Sequence, residues 1–138
     1  MRDTLRHMAT PSKKILCIED DTFLLNLIAT KFTDAGISAV GAHLGGEGVA
    51  LAQSEHPDLI LLDLMLPDMP GLDVLDKLKS DDATKDIPVL IFSNLAEKSE
   101  IEKELAHGAH SYLVKSNTLP GELVEVVSNV LSLDASPR

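Results

Sequence analysis

The sequence predicts an α/β protein: one doubly wound, five-stranded parallel sheet, (βα)5, with strand order 2-1-3-4-5. Three observations carry this expectation. Aliphatic runs occur at Ile15–Ile18, Leu59–Leu62, Pro88–Phe92 and Ser111–Val114, with a weaker run at Ser38–Ala42. None alternates polar with apolar residues, as strands covered on both faces do not. Between the runs lie segments with helical spacing, so strand and helix alternate five times, the pattern of a parallel sheet with crossover helices. Right-handed crossovers then leave few topologies.

The elements follow in order. After the first strand, Leu24, Ile28 and Phe32 mark one face of a helix from about Thr22 to Asp34, stopped at Gly36. Residues 46–55 form a second, weaker helix. Leu72, Leu75 and Leu78 mark the third. Ala96 to Ala106 is a charged fourth helix, anchored by Ile101 and Leu105 and ending at Gly108. Leu119, Leu123, Val127 and Val130 mark the fifth, with Asn117 or Thr118 expected as its cap. The folded domain is expected over 13–133, with flexible tails at 1–12 and 134–138.

The chain has 138 residues, of which 44% are hydrophobic, enough for one domain with a substantial core. Tryptophan is absent and only three Phe and one Tyr occur, so that core must be aliphatic. A formal net charge of −10 disfavours direct binding to nucleic acid or to an anionic membrane. No stretch has the length of a membrane span, and residues 1–12 lack the apolar centre of a signal peptide. The single cysteine, Cys17, sits in an apolar run and reads as a small buried hydrophobe. A cytoplasmic location is expected. The five histidines have no zinc-like spacing, and His107 and His110 are expected to be solvated.

The polar ends of the strands carry the functional signal. In an open parallel sheet, sites form beyond the carboxyl ends of the strands, at the switch point between strands 1 and 3. Strand 1 runs into Glu19-Asp20-Asp21, strand 3 into Asp63, strand 4 into Ser93-Asn94 and strand 5 into Lys115. Asp63 interrupts the most hydrophobic stretch of the chain, where an ionised carboxylate needs compensation. A phosphate-binding loop after strand 1 would be glycine-rich. This one is acidic. Carboxylates suit a hard divalent cation such as Mg²⁺, which keeps waters and takes phosphate oxygens as further ligands. Asp21 is read as a helix cap.

The segments KKILCIEDD, PDLILLDLMLPDMPGLDVL, IPVLIFSN and GAHSYLVK resemble the receiver domain of two-component response regulators, a CheY-like, flavodoxin-like family. The resemblance covers about Lys13 to Leu131. Its spacing is specific, with Ser93 30 residues after Asp63 and Lys115 a further 22 on. It implies that Asp63 is the phosphoacceptor and that Glu19, Asp20, Asp63 and the carbonyl of Met65 hold Mg²⁺. Ser93 stands at the family's switch hydroxyl, Tyr112 at its switch aromatic and Lys115 at its lysine. The implied phosphodonor is a phosphohistidine on a sensor histidine kinase or a histidine phosphotransfer protein. The implied readout is a downstream protein docking on the face of helix 4, strand 5 and helix 5. No output domain is legible, so the chain is expected to be a stand-alone receiver or part of a larger regulator.

Two residues depart from the family pattern. Ser116 replaces the usual proline after the lysine. A cis bond to a non-proline costs roughly 2.5–4 kcal/mol, so Lys115–Ser116 is expected to be trans. Asn94 replaces a small residue after the switch hydroxyl and is expected to alter autodephosphorylation. The chain is expected to catalyse only its own phosphotransfer and dephosphorylation. An aspartyl phosphatase would need a second acid at position 65, which is Met. A flavin carrier would need a phosphate loop and stacking aromatics. The remaining alternative is a degenerate receiver acting as a phosphorylation-independent interaction module.

Overall fold

The computed structural model describes residues 13–95 and 97–135. Its strands are β1 Lys14–Ile18, β2 Ser38–Ala42, β3 Leu59–Leu62, β4 Val89–Ser93 and β5 Ser111–Val114. Its helices are α1 Thr22–Asp34, α2 Gly45–Glu55, α3 Gly71–Lys79, α4 Lys98–Ala106 and α5 Pro120–Ala135. The strands form one parallel sheet in the order β2-β1-β3-β4-β5, as the sequence predicts.

Successive strand residues point to opposite faces, and the sheet divides its core accordingly. Ile15, Cys17, Leu59, Leu61, Leu90 and Phe92 pack on one face, against Leu25, Ile28 and Phe32 of α1 and Leu123, Val127 and Val130 of α5. Leu16, Ile18, Ile60, Leu62, Val89 and Ile91 pack on the other, against Ala52 of α2 and Val74, Leu75 and Leu78 of α3. Continuous apolar strands are needed because both faces are covered. Cys17 is a buried free thiol, and burial pushes its pKa far up.

Local signals explain the boundaries. The Asp21 carboxylate accepts from the Leu24 N–H at 3.2 Å and caps α1, the role expected for it. Gly36, at φ +83°, ends that helix in a conformation open to glycine. The cap of α5 is a correction. Neither Asn117 nor Thr118 fills it, because the Thr118 hydroxyl donates back to the Val114 carbonyl at 3.0 Å. Instead Glu122 reaches back and accepts from the Leu119 N–H at 2.9 Å, half of a capping box. Leu119 therefore lies outside the helix, 69% exposed, rather than on its apolar face.

Helix α4 is also corrected. It begins at Lys98, and Ala96 lies outside the described residues. Leu105 is exposed, and the buried residue of the helix is Glu104. The C-terminal tail expected from 134 starts inside α5, while 1–12 and 136–138 lie outside the described residues. Among the described residues no helix is long and apolar enough to cross a membrane.

Candidate phosphoacceptor site

The carboxyl ends of β1, β3, β4 and β5 deliver the site. The Asp63 N–H donates to the Ile18 carbonyl at 3.1 Å, so the β1–β3 ladder continues one residue past β3 and fixes the aspartate beside Glu19. The Glu19 N–H donates to the Ala42 carbonyl of β2 at 2.9 Å. Both acids are buried, at 3% exposure for Glu19 and 7% for Asp63.

Lys115 answers their charge. Its Nζ lies 2.8 Å from Asp63 Oδ2 and 2.6 Å from Glu19 Oε1, with the lysine side chain itself 15% exposed. It also lies 5.9 Å from the centroid of the Phe92 ring. Burial pulls the Lys115 pKa down, but hydrogen bonds to Asp63 and Glu19 outweigh it and the net direction is up. The ammonium is therefore charged. Burial pushes the Glu19 carboxyl up, opposed by Lys115 and by the Asp21 N–H, which donates to Glu19 Oε2 at 2.9 Å.

The loop after β3 is held tightly. The Met65 N–H donates to Asp63 Oδ1 at 3.1 Å, and Met65 and Pro70 form an isolated antiparallel bridge. Gly71 donates to the Leu64 carbonyl at 2.9 Å. A Cβ on Gly71 would lie 2.5 Å from Leu64 Cα and 2.9 Å from the Asp63 carbonyl oxygen. Glycine is required here for close approach of two backbone segments.

Asp20 is exposed at the rim, beside Glu19 in sequence. Ser93 ends β4 and is fully buried, and its hydroxyl has no hydrogen-bond partner. Tyr112, on β5, donates its hydroxyl to the Leu95 carbonyl at 2.5 Å and so contacts the loop that follows Ser93. The structure thus brings Glu19, Asp63 and Lys115 into direct contact, with Ser93 one strand away and Tyr112 linked through Leu95.

Among the described residues no group of three His, Cys, Asp or Glu side chains is placed to hold a metal ion by itself. The oxygens the structure brings together here are the two buried carboxylates of Glu19 and Asp63, with Asp20 exposed next to Glu19 in sequence. That fits Mg²⁺, which uses few protein ligands and keeps its waters, better than a softer metal.

Two contacts were not legible in the sequence. The Ser116 N–H donates to Asn94 Oδ1 at 3.1 Å, tying the loop after β4 to the turn after β5. A proline at 116 would have no N–H to give. The two departures from the family pattern therefore meet. No cis peptide bond occurs among the described residues, so Lys115–Ser116 is trans, as expected, and opens a short 3-10 turn, Lys115–Asn117. The second is Asp68, which accepts from the Gly45 and Gly46 N–H groups at 2.8 and 3.0 Å and anchors the loop after β3 to the start of α2.

Comparison with known proteins agrees with this architecture. The sequence model of the response regulator receiver domain family matches residues 15–128. The chain is 37% identical over 120 residues to the DNA-binding dual master transcriptional regulator RpaA of Synechocystis, covering 87% of this chain but 48% of that regulator. It thus spans about half the length of that relative. It is 30% identical over 120 residues to the polar-differentiation response regulator DivK of Brucella ovis, covering 87% of this chain and 97% of DivK. Among solved structures, a CheY-like receiver domain protein from Methanospirillum hungatei superimposes with a TM-score of 0.82 at 28% identity, over 88% of this chain and 95% of that one. The receiver domain of Francisella response regulator 1452 gives 0.81 at 29% identity, over 91% of this chain and all of its own. The acids and lysine gathered on one rim of a 2-1-3-4-5 sheet belong to a chain that is a member of the response regulator receiver domain family.

Proposed function

We propose that this chain accepts a phosphoryl group on Asp63 from a phosphohistidine, on a sensor histidine kinase or a histidine phosphotransfer protein, and passes the signal to a downstream protein. One observation carries the reading. A carboxylate at the end of β3 is buried, and its two oxygens are held by the Lys115 ammonium and the Met65 N–H rather than by packing alone.

The Asp63 carboxylate is the nucleophile, attacking phosphorus in line as the donor imidazole leaves. Glu19, Asp20, Asp63 and the Met65 carbonyl would hold Mg²⁺. When bound, the ion neutralises phosphoryl oxygens and offsets the negative pocket. Lys115 brings a further positive charge to the same oxygens. Ser93 supplies a hydroxyl with no competing partner, free to donate to the phosphoryl group. Movement of Ser93 draws on the loop carrying Leu95, and so on the Tyr112 hydroxyl. That couples the site to the α4, β5 and α5 face, the proposed readout. On this reading the chain turns over no small metabolite and works in the cytoplasm.

The test is incubation with acetyl phosphate and Mg²⁺, followed by intact mass. The expected result is a gain of one phosphoryl group, absent in Asp63→Asn and absent without the metal. A gain that survives Asp63→Asn would overturn the assignment. No gain under any condition would return the interaction-module reading.

A further inference from the structure

Glu104 lies outside the phosphoacceptor site and has no part in its chemistry. It is fully buried, and when it is ionised neither carboxylate oxygen has a hydrogen-bond partner. A buried carboxylate is unfavourable when ionised without a partner, and here burial and a hydrogen bond with Glu100 favour the protonated form. It lines a half-open cavity of about 330 Å³ between the start of α3 and the inner side of α4. Leu64, Pro70, Leu72 and Leu95 give the cavity apolar walls, while Asp73, Glu100 and Glu104 add three acids against one base, Lys103.

We propose that this cavity is a recognition pocket for an arginine side chain of a partner protein, with Glu104 as the buried anion that receives the guanidinium. Charge complementarity selects a cation, since the pocket is acidic and the chain carries a formal charge of −10. The geometry selects arginine over lysine. Glu100 and Glu104 stand one helical turn apart, and a planar fork can address two carboxylates where an ammonium is a point charge. The guanidinium is also the more weakly hydrated cation, so it enters an apolar-walled cavity at less cost, its stem lying along the leucines. The pocket opens on the α3–α4 side and shares α4 and Leu95 with the proposed readout face, and its binding test involves no phosphotransfer.

With no cation bound, the pocket favours a protonated Glu104. Burial and the neighbouring Glu100 push its carboxyl up to about 7, against weaker opposition from Lys103 and His107. The other groups facing it are Asp73 of α3 and Tyr112 of β5, while the His107 Nδ1 is held by the Asp76 carboxylate at 2.9 Å. A guanidinium must therefore displace a proton, and binding strengthens with rising pH.

The experiment is an amide-resolved NMR titration with acetyl-Gly-Arg-Gly-amide, run beside acetyl-Gly-Lys-Gly-amide and agmatine. The expected result is saturable shifts at Leu64, Gly71, Leu72 and Lys103, tighter at pH 8 than at pH 6. The lysine peptide should bind more weakly. In Glu104→Gln the arginine peptide should bind roughly tenfold more weakly or worse, the loss of a charge-assisted hydrogen bond, with the fold intact by its amide spectrum. Equal affinity in Glu104→Gln, or no saturable shift in the parent, overturns the proposal. Agmatine binding as tightly as the arginine peptide overturns the assignment to a protein partner and gives the pocket to a free cation. Because the probes involve no phosphodonor, these outcomes are independent of the Asp63 result.

Discussion

Lys115 is the residue on which the rim depends most. Its ammonium is the cation shared by two buried acids, at 2.6 and 2.8 Å. Removing one partner of a buried charge pair costs about 3–5 kcal/mol, because the other is left uncompensated. Lys115→Ala should therefore lower stability by an amount of that order in metal-free buffer, measured by urea denaturation. Mg²⁺ should restore more stability to the variant than to the parent, since a divalent ion supplies the missing positive charge; equal gains in both would contradict a metal site at these acids. A second residue-scale prediction concerns Asn94. Its side chain accepts the Ser116 N–H, so Asn94→Ala cuts a tie between the loops that follow Ser93 and Lys115. A neutral hydrogen bond contributes about 1 kcal/mol, which corresponds to roughly fivefold in a rate. The phosphoryl half-life on Asp63 should shorten by up to that factor, read as decay of the phosphorylated mass, and an unchanged half-life would detach Asn94 from the chemistry. Asp63 was legible because an acid in an aliphatic run is expensive. The Asn94–Ser116 contact was not, because it joins residues 22 apart whose side chains give no local signal.

At the scale of elements, Gly71 and Gly121 make opposite predictions from the same substitution. A Cβ at Gly71 would meet Leu64 Cα at 2.5 Å and the Asp63 carbonyl at 2.9 Å, so backbone must move. Gly71→Ala should destabilise by about 1–3 kcal/mol, the usual cost of overpacking, and should slow phosphorylation because the displaced loop carries Asp63. Gly121, in the first turn of α5, is open: a Cβ there would meet nothing within 4 Å. Gly121→Ala should stabilise by about 0.4–1 kcal/mol through lost freedom of the unfolded chain. Thermal melts of the two variants should move in opposite directions. The element boundaries show what local patterns can and cannot carry. Helix α1 was legible in its bounds, since Asp21, Ile28, Phe32 and Gly36 agree, although Leu25 rather than the expected Leu24 is buried in its first turn. The start of α5 was not, since Thr118 and Asn117 look like caps and only the reach of Glu122 decides against them. In α4 the composition suggested a solvated helix. Yet position 104 lies three residues beyond Ile101 and so on the inner side, a spacing that could have exposed the buried glutamate.

For the whole molecule, sheet order and the two-sided core followed from strand hydrophobicity and crossover handedness, because these constraints are global and few. A single buried charge is the reverse case: its effect appears only in the balance between folded and unfolded states. Glu104 is fully buried and its carboxyl is pushed up to about 7 by burial and by Glu100, whereas in an unfolded chain a glutamate titrates near 4.3. Between those values the folded state keeps a proton that the unfolded state has released. The folded state binds more protons, so this group makes stability fall as pH rises across that window, and the full penalty is present above about 7. Glutamine at 104 is neutral throughout. Its own buried amide adds a constant offset, which shifts the difference between variant and parent without changing its slope. The stability of Glu104→Gln relative to the parent should therefore grow between pH 4.5 and pH 8, by on the order of 2–3 kcal/mol. Subtracting the parent cancels groups that titrate alike in both, including the acids of the phosphoacceptor rim. Urea denaturation of both proteins at half-unit pH steps measures the difference curve directly. A curve that is flat across the window would mean that Glu104 keeps its charge in the folded chain, and that some cation already compensates it.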